Sequence, residues 1–143
     1  MPDLKAPPAR DWVMGYPMAL ATVRLARRHV RHRLTTWEWT GDIDDAVLVV
    51  SELLANAVRH GRLPGHHVWL RLAVEEGAGL VVDVSDPVPM FPGFDGGFGA
   101  AVDEGEGGRG LLVVRQLTVE FEWFPRTGVG KTVRARLAEG ARG

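Results

Sequence analysis

The chain has 143 residues, 45% of them hydrophobic and 24% charged, which is the make-up of one globular domain able to bury its own core. Seventeen basic side chains against eighteen acidic ones give a formal net charge of −1, so no whole-chain attraction to nucleic acid exists. Cysteine is absent, which excludes disulfides and thiolate metal sites and agrees with a reducing compartment, and no apolar run approaches the roughly 20 residues that span a bilayer.

Residues 1–10 are proline-rich and read as a flexible tail. Met1 to Pro8 lacks the apolar stretch of a signal peptide, so the expected location is the cytoplasm. A single domain is expected over 11–140. Residues 11–16 read as a short strand. Over 18–34, Leu20, Val23, Ala26, Val30 and Leu34 recur at helical spacing, with Arg24, Arg27, Arg28 and Arg31 on another side. Residues 35–41 form a turn. A second helix starts near Asp42, where Asp44 and Asp45 favour a helix N-terminus, and stops at Gly61.

The alternation of Val68, Leu70 and Leu72 with Trp69, Arg71 and Ala73 predicts a strand over 67–74. Leu80 to Ser85 is a β-branched strand, and the two make a hairpin. Residues 87–108 hold three prolines and many glycines; a loop this long in a compact domain is usually functional. Arg109 to Leu117 reads as a short helix, then Val119 to Phe124 and Thr132 to Leu137 as strands. Helices come early and strands late. The expected fold is an α+β two-layer sandwich, with a mixed, mostly antiparallel sheet and helices on one face.

Four places carry chemistry. On the second helix Asp45, Val49, Glu52, Asn56 and Arg59 or His60 form a stripe, against an apolar side of Ala46, Val47, Val50, Leu53, Leu54, Ala57 and Val58. A carboxylate and a carboxamide one turn apart cost about 1–3 kcal/mol each if buried alone, so something polar must meet them. The plainer reading is a solvated helix edge. Asp86 closes an apolar strand; its carboxylate, an acceptor only, suits an exocyclic amine, whereas the plainer reading is a turn cap before Pro87. Gly105 to Leu111 places glycines at a helix start, where backbone N–H groups meet phosphate; the plainer reading is a linker. Thr132, after Gly128-Val-Gly-Lys, offers a hydroxyl or simply begins a strand. Gly130-Lys-Thr132 is no phosphate-binding P-loop, because the first glycine is missing at the required spacing and a strand follows. Neighbouring His66 and His67 point to opposite faces of a strand and do not share a metal.

The order of these motifs over roughly residues 15–138 resembles the Bergerat-type ATP-binding family of gyrase, the heat-shock chaperone, histidine kinases and the MutL repair protein. Within it the chain is similar to the small anti-sigma-factor serine kinases. The resemblance implies ATP and magnesium as cofactors. It implies Asn56 as the magnesium ligand, Glu52 as the general base, and Arg59 and His60 near phosphate or ribose. It further implies Asp86 as reader of the adenine amine, and Gly108, Arg109, Gly110 and Leu111 under the phosphates beside a lid at about 87–108. Thr132 would stand near the base.

The resemblance implies as partners a sigma factor and an anti-anti-sigma antagonist, and a homodimer, with no direct nucleic-acid or membrane contact. One departure is plain: Asp86-Pro-Val-Pro-Met90 places Val88 and Met90 where the family has glycines. Two functions therefore compete, a serine kinase that captures a sigma factor and a non-catalytic regulator with a degenerate or structural nucleotide pocket. A mechanical ATPase would need a second domain to move. The basic run of Arg24, Arg27, Arg28, Arg31 and Arg33 with His29 and His32 is a solvated face, or a docking surface for an acidic partner or the dimer mate.

Overall fold

A computed structural model describes residues 10–75, 77, 79–89 and 106–140. The tail at 1–9, residues 76 and 78, the stretch 90–105 of the segment expected at about 87–108 as a lid, and the last three residues lie outside the described part. The elements run β1 (Asp11–Pro17), α1 (Leu20–Thr36), α2 (Ile43–His60), β2 (His67–Glu75), β3 (Gly79–Asp86), α3 (Glu106–Leu117), β4 (Glu120–Pro125) and β5 (Lys131–Leu137). The five strands form one sheet in the order β1-β2-β3-β5-β4, and every neighbouring pair is antiparallel. The two-layer α+β sandwich holds, with no parallel pair among the described strands.

Two tight hairpins set the register. Glu75 pairs with Gly79 across a turn in which Gly77 and Gly79 have φ of 76° and 92°, a region open to glycine at little cost. Pro125 pairs with Lys131 across the second turn, closed by the Arg126 N–H donating to the Gly130 carbonyl at 2.9 Å. Because α3 carries the chain across from β3 to the edge strand β4, β5 returns between them. The last strand is thus laid beside Asp86, in the pairing Asp86↔Lys131.

One sheet face is apolar. Val68, Leu70, Leu72, Leu80, Val82, Val84, Val133 and Ala135 are buried there beneath the helices. The central α2 packs on α1 and α3 and on strands β2, β3 and β5. Its N-terminus is capped by Asp42, whose Oδ1 accepts from the Asp45 N–H at 3.0 Å, and Asp44 and Asp45 oppose the helix dipole. Val49, assigned from spacing to the polar stripe, is fully buried.

In α1 the buried row is Thr22, Ala26, Val30 and Leu34. Leu20, expected in that row, is 64% exposed. Thr22 takes its place because its hydroxyl donates to the Pro17 carbonyl at 2.6 Å, tying the helix start to β1.

The other sheet face is a charge ladder. Asp83 accepts from Arg71 at 3.2 Å and from Arg134 at 2.7 and 2.9 Å; Arg71 also reaches Asp11, and Arg136 bridges Glu75 and Glu120. These side chains stand on strands paired residue for residue, so the ions alternate across the sheet. Ala73 and Val81 are buried on this side, where no helix of the described residues lies, beside the long arginine side chains of the ladder. No helix among the described residues is long and apolar enough to cross a membrane.

Candidate functional site

The site is built along α2, which carries two polar centres. Glu52 and Asn56 are half-buried and one turn apart. Neither has a hydrogen-bond or ion-pair partner among the described residues. Near its start, α3 brings Gly110 against Glu52. Leu111 and Val114 bury α3 in the core, and this draws Gly110 so close to Glu52 that a Cβ there would overlap Oε1 and sit 3.3 Å from Cδ. The glycine is required by close approach. It leaves the Glu52 carboxylate near the N-terminal end of α3, where the helix dipole is positive.

Of the phosphate-site residues, Gly110 therefore meets Glu52, and Gly108 and Arg109 lie in the first turn of α3 just before it, with their surroundings outside the described part. Leu111 is a core residue, 4% exposed, that fastens α3 to α2. It positions the turn from beneath and has no surface of its own to offer a ligand. Arg59 and His60 are exposed on the last turn of α2, where positive charge suits the helix C-terminus.

The second centre lies where α2 ends. Asp86, at the end of β3, turns its side chain toward the helices and is 1% exposed. The Lys131 ammonium, itself 2% exposed, donates to Asp86 Oδ1 at 3.0 Å and to the Val88 carbonyl at 2.9 Å, and forms an ion pair with Oδ2 at 2.9 Å. The Val88 N–H donates to Oδ1 at 2.8 Å. The turn-cap reading of Asp86 is therefore correct as far as it goes, and Val88 contributes through its backbone. Gly61 closes the remaining side: a Cβ on it would stand 2.5 Å from Asp86 Cγ and 2.6 Å from Oδ2. Gly61 has φ of −110°, so it is glycine for contact rather than for a left-handed turn. Burial raises the Asp86 carboxyl above its ordinary value. The Lys131 ammonium, the Val88 N–H and the charge of Arg126 pull it back without cancelling that effect.

Thr132 is not brought to this centre. It pairs with Ser85, and alternation along β5 sends it to the charge-ladder face, where its hydroxyl meets Ser85 Oγ at 2.8 Å. The residue that does stand beside Asp86 is Lys131, which the sequence reading set aside with the rejected P-loop. The signal was available. A strand ending in Asp and a last strand opening on Lys become neighbours once β3 and β5 pair antiparallel. The basic run on α1 also divides. Tyr16 donates to or accepts from His29 Nδ1 at 2.7 Å, and Arg33 lies over Trp12 and Trp37, so both face inward. Arg24, Arg27, Arg28 and Arg31 line a groove of about 360 Å³ with Val47, and Arg31 also pairs with Asp44 at 2.8 Å.

A single helix thus joins a carboxylate–carboxamide pair, without partners among the described residues and beside a glycine-opened helix start, to a buried Asp at the end of a strand. That arrangement on a helix-covered antiparallel sheet defines a nucleotide-binding class of domain. Residues 16–137 match the family described as histidine kinase-like ATPase domain, and the chain belongs to it. The family supports an ATP-binding regulatory role. No curated protein matches the chain.

The two ends fit magnesium-ATP unequally. At the Glu52–Asn56 end, the polar side chains lack partners among the described residues and a glycine keeps the approach to Glu52 open. No cluster of three or more His, Cys, Asp or Glu able to hold a metal occurs among the described residues. A magnesium ion at Asn56 would therefore draw its other ligands from phosphate and water, its usual habit. At the Asp86 end the acceptor is already engaged.

Proposed function

We propose that this protein is an ATP-dependent regulator, an anti-sigma factor that is also a serine protein kinase acting on a small antagonist protein. The observation that carries the reading is the pair Glu52 and Asn56, one turn apart, half-buried and without partners among the described residues, with Gly110 against the carboxylate. When bound, magnesium-ATP supplies the phosphoryl group. Asn56 would hold the ion through its carboxamide oxygen, and Glu52 would take the proton from the attacking serine hydroxyl. Gly108, Arg109 and Gly110 would face the phosphates. Such transfer depends on positioning and charge neutralisation rather than on covalent work by the protein, so two well-placed side chains on a rigid helix suffice.

Phosphorylation would add about two negative charges to the antagonist and break its docking. The arginine-lined groove on α1 supports an acidic docking partner, assigned here to the sigma factor, and a homodimer completes the proposed assembly. The test is labelled ATP with purified antagonist candidates. Glu52→Gln is expected to abolish transfer while keeping nucleotide, and Asn56→Ala to lose magnesium-dependent binding. No transfer by wild type refutes the kinase, and equal transfer by wild type and Glu52→Gln refutes Glu52 as its base.

The saturated Asp86 and the bulky Val88 favour a second reading, a partner-binding regulator without catalysis. Calorimetry separates the two. Magnesium-ATP binding tighter than about 100 µM, roughly −5.5 kcal/mol, that vanishes in Asn56→Ala supports the first.

A further inference from the structure

We infer that Lys131 sets the affinity and base preference of the nucleotide site by holding the Asp86 carboxylate, so that an adenine amine reaches Asp86 only by displacing the ammonium. The inference rests on the nucleotide-binding part of the reading above and not on phosphoryl transfer. Its ground is the count of acceptor positions. A carboxylate has two oxygens with about four lone-pair directions. Lys131 takes one on Oδ1 and covers Oδ2 with an ion-pair contact at 2.9 Å, the Val88 N–H takes a second on Oδ1, and Gly61 stands against Oδ2 with no room for even a methyl group. With Asp86 1% exposed, no donor from outside reaches it while Lys131 stays.

The exchange is unequal. Leaving means that Lys131 gives up hydrogen bonds to Oδ1 and to the Val88 carbonyl and its ion-pair contact with Oδ2. An exocyclic amine returns one neutral donor, and charge-assisted bonds are about twice as strong as neutral ones. The ammonium therefore wins in the free protein, and the base is bound against that competition. Removing it would leave an acceptor that a donor on the base edge can satisfy. Adenine presents such an amine to Asp86, whereas guanine presents a carbonyl at the corresponding position, which a carboxylate repels. The gain from removing Lys131 is therefore specific to adenine.

The experiment is a tryptophan-fluorescence or calorimetric titration of wild type and Lys131→Met with Mg-ATP and Mg-GTP. Methionine keeps most of the stem and removes the charge. Lys131→Met is expected to bind Mg-ATP about tenfold more tightly, about 1.4 kcal/mol, with Mg-GTP affinity unchanged. No tightening for ATP, or equal tightening for both nucleotides, overturns the inference. Asn56→Ala in parallel keeps the readings apart. If it loses Mg-ATP while Lys131→Met gains nothing, nucleotide binding stands and the role of Lys131 falls. Absence of phosphoryl transfer by wild type sinks the kinase and leaves Lys131 untouched.

A measurement on the unaltered protein covers failure of the variant to fold. Lys5 and Lys131 are the two lysines of the chain, so amine acylation read by peptide mass is unambiguous. Lys131 is expected to react about tenfold more slowly than Lys5 without nucleotide, and to speed up when millimolar adenosine, which has no phosphate for a freed ammonium to contact, is added. A Lys131 rate that adenosine leaves unchanged overturns the inference.

Discussion

Gly61→Ala tests whether the end of α2 is glycine for backbone freedom or for the carboxylate beside it. At φ −110° and ψ 11° alanine is permitted, and on conformational grounds alone the change would stabilise the fold by about 0.4–1 kcal/mol. Against that, the new Cβ would lie 2.5 Å from Asp86 Cγ and 2.6 and 2.8 Å from its two oxygens. The overlap has no cheap relief, because Asp86 is held by Lys131 and by Val88 and is not a free side-chain end. Overpacking costs about 1–3 kcal/mol, and a shifted carboxylate also weakens a buried ion pair whose loss alone is worth about 3–5 kcal/mol. The steric cost wins, and Gly61→Ala is expected to lose about 2 kcal/mol in urea unfolding, with an unchanged slope. In an Asp86→Ala/Lys131→Met background, where both charges are gone, the same substitution should become neutral or slightly stabilising. Stabilisation in the wild-type background, or an equal loss in both, would refute the argument.

Gly110→Ala should push Glu52 aside; a displacement of about 1 Å at a reacting group costs on the order of a hundredfold, so transfer to the antagonist should fall by that factor in single-turnover assays. Thr132→Val should cost about 1 kcal/mol in denaturant unfolding through the lost bond to Ser85, and should leave nucleotide titrations unchanged because it lies on the opposite sheet face. Burial raises the Tyr16 phenol to about 12, so the folded state keeps a proton that the unfolded chain loses near 10. Stability should therefore be unaffected below about pH 9.5 and fall by about 1–3 kcal/mol as pH rises from 10 through 12, a slope that Tyr16→Phe removes.

The fold was legible because its elements announce themselves locally. Asp42 with Asp44 and Asp45 marks the start of α2, and the alternation through Val68, Leu70 and Leu72 marks β2, in each case from contacts within a few residues. Errors came where a distant group decided. Leu20 fits the apolar period of α1, but Thr22 is tied to the Pro17 carbonyl and takes the buried place. Val49 sits between polar residues in the spacing, yet its side of the central helix is buried.

The candidate site divides along the same line. Glu52 and Asn56 were readable since a helix fixes their relation, one turn apart on one face, whatever the rest of the chain does. Asp86 was readable as a residue and not as a chemical group. Its carboxylate is defined by Lys131, 45 positions away, and that meeting depends on β5 returning between β3 and β4 instead of beside the sheet edge. A shift of one residue in the β3–β5 register would send Lys131 to the charge-ladder face and bring Thr132 to Asp86, the hydroxyl that the motif led one to expect. Which donor faces the buried acceptor is thus set by strand register. Register, unlike helical spacing, is written jointly by two segments, and neither segment alone reveals it.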